Sequence, residues 1–165
     1  MVLTLGSTSQ SGSGDGADGG NQYYFRGTSR GYQGNPNIRT AGPTSTSTSP
    51  AIATAFASNA SQFGPGVIYI ATDADLAGIS IAETGNVFAE LEAEVGFNIS
   101  PLEFADLASM EVSVSDARAI LAEMGINVSY NLKTGDMNDF LRGLPSLSPE
   151  QVLQFIQGVL DLDEP

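Results

Sequence analysis

The chain has 165 residues, of which six are basic and nineteen acidic, and its formal net charge at pH 7 is -13. It contains neither cysteine nor histidine, which excludes disulfides, thiol nucleophiles, Ser-His-Asp triads and zinc sites built from these ligands. The negative charge repels nucleic-acid phosphates and anionic membrane surfaces, so it disfavours a nucleic-acid target and favours a basic partner or none.

The two ends of the chain differ in composition. Residues 6–22 are rich in Gly and Ser, which predicts a flexible linker over residues 1–22. The apolar content of the remainder predicts a single domain over residues 23–165, with residues 130–165 as a helical extension of unassigned role. Met1–Leu5 lacks the features of a signal peptide, and no apolar run is long enough to span a membrane.

The first predicted element is a strand over Gln22–Arg26, because aromatic residues are dense there. We expect the strand to stop at Gly27 and a loop to continue to Pro43, since Gly, Asn and Pro are frequent in that stretch. An arginine at a strand end beside a glycine is well placed to grip a phosphate. The alternative for Arg26 is a surface cation paired with one of the many acids.

A run of alternating threonine and serine occupies residues 44–49. On its own it fits either a short polar strand or a mucin-like linker. Ser49 can cap a helix that has Pro50 at its first position. Ile52 and Phe56 would then lie on one side of that helix. The sequence therefore favours a hydroxyl-lined strand that runs directly into a helix.

A row of carboxylates occupies Glu90, Glu92 and Glu94. If this segment is extended, all three side chains project from the same face. Such a row is either a solvated edge strand or a group that carries out acid-base chemistry. Asp73 and Asp75 lack the ligand ladder of a calcium loop, so no metal site is predicted.

The other regular elements are a buried strand at Gly66–Ile70 and three helices. Capping boxes predict helices that begin at Ser100 and Ser148, and Ser115 is expected to open a third. The side chains expected to face inward are Phe104, Leu107 and Met110, then Ala119, Ile120 and Met124 before a stop at Gly125, and finally Val152, Phe155, Ile156 and Leu160.

Three segments stand in a meaningful order: Tyr24–Thr28 with its Arg-Gly pair, Ser47–Pro50, and Glu92–Val95. Together they resemble the arginine, Ser-Thr-Ser, Glu-x-Glu signature of mono-ADP-ribosyltransferase toxins and related transferases, over roughly residues 23–126. The resemblance implies an α+β fold of two small packed β-sheets with flanking helices and an NAD cleft between them. NAD would be a co-substrate, and no metal would be required.

The resemblance also implies roles for individual residues. Arg26 would contact the NAD phosphate and ribose, and Gly27 would offer backbone groups to the nicotinamide amide. Ser47 would hold the catalytic carboxylate, which would be Glu94, while Glu92 would orient and deprotonate the acceptor. The remaining residues expected to bind NAD are Thr28, Thr48, Ser49 and Phe56.

The Ser-Thr-Ser motif and the Glu-x-Glu motif can each be placed at two positions in this sequence. Ser45-Thr46-Ser47 spells the same triplet, and we prefer Ser47-Thr48-Ser49 because it adjoins the predicted helix. Glu90-Leu91-Glu92 is a second Glu-x-Glu, and we prefer Glu94 as the catalytic residue because an apolar strand continues after it.

The function implied is transfer of ADP-ribose from NAD to a protein side chain, most simply arginine, with release of nicotinamide. The chain would be a bacterial toxin or effector domain that is secreted or delivered and acts in a target-cell cytoplasm on a basic acceptor, with room for an immunity protein as a further partner. The alternatives are an NAD glycohydrolase and a non-enzymatic acidic binding module. A glycoside hydrolase is disfavoured, because carboxylates two positions apart in one strand do not flank a substrate.

Overall fold

A computed structural model describes residues 22–33, 43–61, 64–83, 85–86, 89–128 and 137–162. Apart from Gln22, the predicted linker lies outside these ranges. The described residues form strands β1 (Tyr23–Ser29), β2 (Thr44–Ser47), β3 (Gly66–Thr72), β4 (Ile81–Ala82), β5 (Glu94–Phe97) and β6 (Met110–Ser113), and helices α1 (Arg30–Gln33), α2 (Pro50–Ala60), α3 (Pro101–Leu107), α4 (Val114–Glu123), α5 (Met137–Arg142) and α6 (Pro149–Asp161).

The strands form one antiparallel sheet in the order β4-β5-β2-β1-β3-β6. The α+β class is confirmed, but the expectation of two sheets is wrong for the described residues. β1 pairs with β3 from Tyr23–Thr72 to Ser29–Gly66, whereas β1 meets β2 in a single register pair, Phe25–Ser47. The sheet therefore consists of two three-stranded halves joined at a narrow seam.

Helix α2 follows β2 directly, as the sequence predicts. The Ser49 hydroxyl accepts a hydrogen bond from the Ile52 N–H at 3.3 Å, and Pro50 occupies the first turn. Small side chains let the helix lie close to the sheet, and most of its residues are buried. The cap and the proline both favour the helix start locally, so tertiary contacts did not have to override the sequence.

The predicted end of β1 at Gly27 is wrong, because the strand continues to Ser29. A Cβ at Gly27 would lie 1.9 Å from the Ala53 carbonyl oxygen of α2. The absence of a side chain therefore permits close approach of helix and strand. In the local sequence, a glycine that is required for close packing looks the same as a glycine that ends a strand.

The core has a cluster on each face of the sheet. On the α2 face, the rings of Phe25 and Phe155 meet edge to face with centroids 5.8 Å apart. On the opposite face, Tyr24 and Phe97 meet at 4.9 Å, and Phe104 is fully buried. Because Phe155 lies in α6, the C-terminal helix belongs to the same core as β1.

Both predicted capping boxes are present. The hydroxyls of Ser100 and Ser148 accept from the backbone N–H of Glu103 and Gln151, whose side chains accept from the cap N–H groups in return. These helix starts are therefore confirmed. The predicted helix start at Ser115 is displaced, because Ser113 is the cap of α4.

Some side chains predicted to face inward do not. Leu107 and Leu160 are 41% and 46% exposed, and Ala119 is exposed. Met110 begins β6, which pairs with β3, so nonlocal strand pairing ends the helical spacing expected there. Gly125 follows α4 with φ +82°, in agreement with the predicted stop. No helix in the described ranges is long and apolar enough to cross a membrane.

Candidate active site

A cavity of about 240 Å³ opens where β1 and β2 diverge from their single register pair, with α2 at one side. It brings together most of the residues singled out from the sequence. Its lining consists of Phe25, Arg26, Gly27, Ser45, Thr46, Ser47, Ala53, Phe56, Glu92 and Glu94. We call this cavity the cleft. The arginine, the hydroxyl strand and two of the three glutamates of the carboxylate row thus share one site.

Strand β2 aligns the site. Ser47 pairs with Phe25 of β1 and with Glu94 of β5, so these three positions form one line across three neighbouring strands. Side chains at directly paired positions project to the same face. Ser47 therefore stands beside Glu94 within the sheet.

The Ser47 hydroxyl donates to the Glu92 carbonyl oxygen at 2.7 Å and accepts from the Ser49 N–H at 3.0 Å. The resemblance implies that Ser47 holds the catalytic carboxylate. In this structure its hydroxyl holds the backbone that carries both glutamates. Ser47 thus positions the segment and also fixes the start of α2.

The other hydroxyls of β2 explain how a polar strand can lie inside a sheet. The hydroxyl of Thr44 donates to the Ile99 carbonyl at 2.7 Å, and that of Thr46 donates to the Val95 carbonyl at 2.9 Å. Buried hydroxyls are costly unless they are hydrogen-bonded. Each of these meets a carbonyl in or beside β5, so the strand is compatible with burial.

All three residues of Ser45-Thr46-Ser47 line the cleft, whereas of the preferred triplet, Ser47-Thr48-Ser49, Ser47 lines it. Thr48 and Ser49 instead line a second cavity beside the first. Ser49 is also engaged as the cap of α2. Thr28 is 2% exposed and is not among the residues that line the cleft. These geometries leave Thr28, Thr48 and Ser49 without a place in the cleft.

Arg26 bridges the gap between the two halves of the sheet. Its Nη1 donates to the Ser45 carbonyl oxygen at 3.1 Å. The guanidinium is planar and carries five N–H donors in a fork whose geometry suits a phosphate. The arrangement holds a fixed positive charge at the wall of the cleft.

The segment that carries the carboxylates is a turn and not an extended strand. Residues 89–93 form turns, and β5 begins only at Glu94. Ala93 has φ +48°, in the left-handed region that non-glycine residues seldom adopt. The prediction of three side chains on one strand face is therefore wrong. Glu92 and Glu94 both reach the cleft, while Glu90 is exposed and lines the second cavity.

The two cleft glutamates differ in electrostatic setting. Burial raises the pKa of Glu92, and the neighbouring charge of Glu94 raises it further. The Asn86 amide donates to Glu92 Oε1 at 2.8 Å and opposes this shift. A carboxyl with a raised pKa is a stronger proton acceptor when it is ionised, which suits a group that must take a proton. Asn86 carried no sequence signal, because an isolated Asn in an irregular stretch gives none.

Comparison with protein-family models, curated proteins and solved structures gave no match. Function must therefore be inferred from the residues and their geometry.

Within the described ranges, no group of three or more acidic side chains is arranged to hold a metal ion. Asp75 accepts from the Thr72 N–H at 3.0 Å and the Ser109 hydroxyl at 2.7 Å, and so ties two loops together.

Proposed function

We propose that the protein is an NAD-dependent mono-ADP-ribosyltransferase that modifies arginine side chains of an acceptor protein. One observation carries the proposal: Arg26, the Ser45–Ser47 strand, Glu92 and Glu94 line a single cleft although they lie far apart in the sequence. A structural role alone does not explain why two half-buried carboxylates should face an arginine and a row of hydroxyls across an open cavity. The motif resemblance supports the same class, and it is the ground for proposing a toxin or effector domain.

The size of the cleft supports binding of one end of a dinucleotide and not of the whole molecule. Ligand pockets commonly measure roughly 300 to 1,000 Å³, and the cleft at about 240 Å³ is smaller. It would hold the nicotinamide-ribose end of NAD, with the remainder outside. Arg26 supplies the positive charge for a phosphate, and Gly27 and the aromatic side chain of Phe56 are further parts of the lining.

NAD would supply the ADP-ribosyl group, since cleavage between its ribose carbon and the nicotinamide nitrogen sends the bonding electrons to nicotinamide, which leaves neutral. Positive charge then develops on the sugar. An ionised Glu94 beside the ribose stabilises this charge in the transition state more than in the ground state. Ser47 maintains the geometry by fixing the backbone of the turn.

Glu92 would serve the acceptor. An arginine guanidinium is a poor nucleophile until it loses a proton, and Glu92 accepts that proton as the guanidine nitrogen bonds to the ribose carbon. The product guanidinium keeps one positive charge, and the proton later passes from Glu92 to water. The raised pKa of Glu92 suits this task. Water in place of the guanidine would give NAD hydrolysis.

The test separates the two glutamates. The protein is incubated with NAD labelled in its adenylate part and with agmatine as a small guanidine acceptor, and nicotinamide release and labelled agmatine are both measured. For Glu92→Ala we expect transfer to fall about 100-fold or more while release to water is retained, because only the acceptor step needs this base. Release without any transfer in the wild type would favour an NAD glycohydrolase. No NAD turnover with agmatine or with cell lysate would overturn the proposal in favour of a binding module.

A second prediction concerns pH. Asn86→Ala removes a hydrogen bond that favours ionised Glu92, so the pKa of Glu92 should rise further. Transfer requires the ionised form, so the acidic limb of the transfer rate should move to higher pH. Asn98→Ala is the control, because its amide donates to the Ser80 hydroxyl at 2.6 Å and not to a carboxylate. Identical pH profiles for both variants would contradict the role of Glu92.

A further inference from the structure

A second cavity, of about 450 Å³, lies beside the cleft. One wall comes from the carboxylate turn and the first turn of α2, and the other comes from α5 and the residues after it. The apolar part of its lining consists of Ile52, Leu91, Ala93, Leu141, Leu144, Pro145 and Leu147. We call it the outer groove. Its far wall lies in the C-terminal region, to which the motif resemblance assigns no role.

The outer groove and the cleft share one thin partition. Leu91 and Ala93 line the groove, whereas Glu92 and Glu94 line the cleft. Side chains from Leu91 to Glu94 therefore alternate between the two cavities. The Thr48 N–H donates to the Ala93 carbonyl at 3.1 Å and ties this partition to the end of β2. A ligand in the groove would therefore lie next to the residue proposed to deprotonate the acceptor.

The charged residues of the groove favour a ligand that carries a positive charge. Glu90 is an exposed carboxylate on its lining. Arg142 also lines it, and its Nη1 lies 3.0 Å from Asp139 Oδ1, so Asp139 places a second carboxylate beside this cation. The chain as a whole carries a net charge of -13. A groove with an apolar floor and an acidic edge matches a segment that combines an apolar side chain with a cation.

We propose that the outer groove is the docking site for the acceptor protein and that it takes an apolar side chain adjacent to the arginine that is modified. The inference rests on the proposed transferase activity and adds the substrate preference to it. The apolar side chain of the acceptor would enter the groove between the turn at residues 89–93 and α5. The guanidinium of the neighbouring arginine would then lie across this turn, close to Glu92. The C-terminal region would then determine which arginines are modified.

The test compares acceptors that differ only beside the arginine. Two blocked synthetic peptides are used, one with leucine on both sides of a single arginine and one with glycine on both sides, with agmatine as a third acceptor that has nothing to dock. For the wild type we expect kcat/KM about tenfold to a hundredfold higher with the leucine peptide, as burial of an apolar side chain predicts. Equal values for the two peptides would overturn the proposal.

A substitution in the groove supplies the second arm. Ser146 is exposed and lines the groove, so Ser146→Phe should fill it without disturbing the core. Ser115→Phe places the same side chain at an exposed position of α4 that does not line the groove. We expect Ser146→Phe to abolish the preference for the leucine peptide and leave transfer to agmatine unchanged, and Ser115→Phe to change neither. A preference that survives Ser146→Phe would place the recognition elsewhere.

These outcomes separate two kinds of failure. If the proposed transferase activity is wrong, agmatine is not modified by any variant. If only the docking site is wrong, agmatine is modified while the two peptides react equally or the groove substitution has no effect. Activity with agmatine is therefore the internal reference for every peptide measurement.

Discussion

Glu94→Gln is expected to lower nicotinamide release by about two to three orders of magnitude, the usual cost of removing one electrostatic stabiliser of a transition state. Glutamine keeps the size and the hydrogen-bonding oxygen of the side chain but lacks its charge. The loss should appear in kcat, with little change in the affinity for NAD, because the positive charge on the sugar develops only as the bond breaks. Release is measured as free nicotinamide, with agmatine and without it.

The matched control is Glu90→Gln, which makes the same change on the same turn outside the cleft. We expect its release and its transfer to agmatine to match the wild type. The pair also decides between the two Glu-x-Glu frames. Nicotinamide release retained in Glu94→Gln, together with transfer to agmatine lost in Glu90→Gln, would move the catalytic role to Glu92 in the Glu90-Leu91-Glu92 frame.

Gly27→Ala is expected to destabilise the fold by about 3 kcal/mol or more, at the upper end of what overpacking costs. The added Cβ would lie 1.9 Å from the Ala53 carbonyl oxygen and 2.9 Å from the Ala57 nitrogen. Both contacts are backbone atoms of α2, so a side-chain rotation cannot relieve them. The helix would have to move away from β1. Urea denaturation followed by circular dichroism measures the change in the free energy of unfolding.

Gly143→Ala is the control for chain entropy and helix propensity. A Cβ there meets only the Phe140 carbonyl oxygen at 3.5 Å, an ordinary contact, and the residue is exposed. We expect its stability to remain within about 1 kcal/mol of the wild type. Equal stabilities for both alanine variants would show that α2 can shift away from β1 at little cost.

Local chemistry allowed several elements to be predicted from the sequence. The start of α2 follows from Ser49 and Pro50, and the starts of α3 and α6 follow from the capping boxes at Ser100 and Ser148. Each of these signals lies within four residues of the feature that it determines. The buried strand at Gly66–Ile70 was equally clear, and the structure extends it to Thr72.

The errors arose where distant parts of the chain decide the geometry. Gly27 resembles a strand end locally, yet its role depends on Ala53, which is on another element. The Ser-Thr triplet has two possible frames in the repeat, and which hydroxyl residues line the cleft depends on how β2 pairs with β1 and β5. Alternation likewise suggested an extended acidic row, and the left-handed backbone of Ala93 interrupts it.

The candidate site was predictable as a set of residues but not as a geometry. Arg26, Ser47, Glu92 and Glu94 all line the cleft. Their motif order carries this information because the three motifs lie on or directly beside three neighbouring strands, β1, β2 and β5. The hydrogen bond of Asn86 to Glu92, and the separation of Glu90 into another cavity, depend on a turn whose shape the sequence does not specify.

The seam between the two halves of the sheet has a mechanical consequence. One register pair, Phe25–Ser47, joins β1 to β2, and the Arg26–Ser45 hydrogen bond crosses the gap beside it. Glu92 and Glu94 belong to the half of the sheet that contains β2 and β5, and Arg26 belongs to the half that contains β1. A change in the angle between the two halves would strain few of the hydrogen bonds described across the seam and would alter the width of the cleft. A ligand that contacts both halves would fix the angle between them, and part of its binding free energy would offset the cost of doing so.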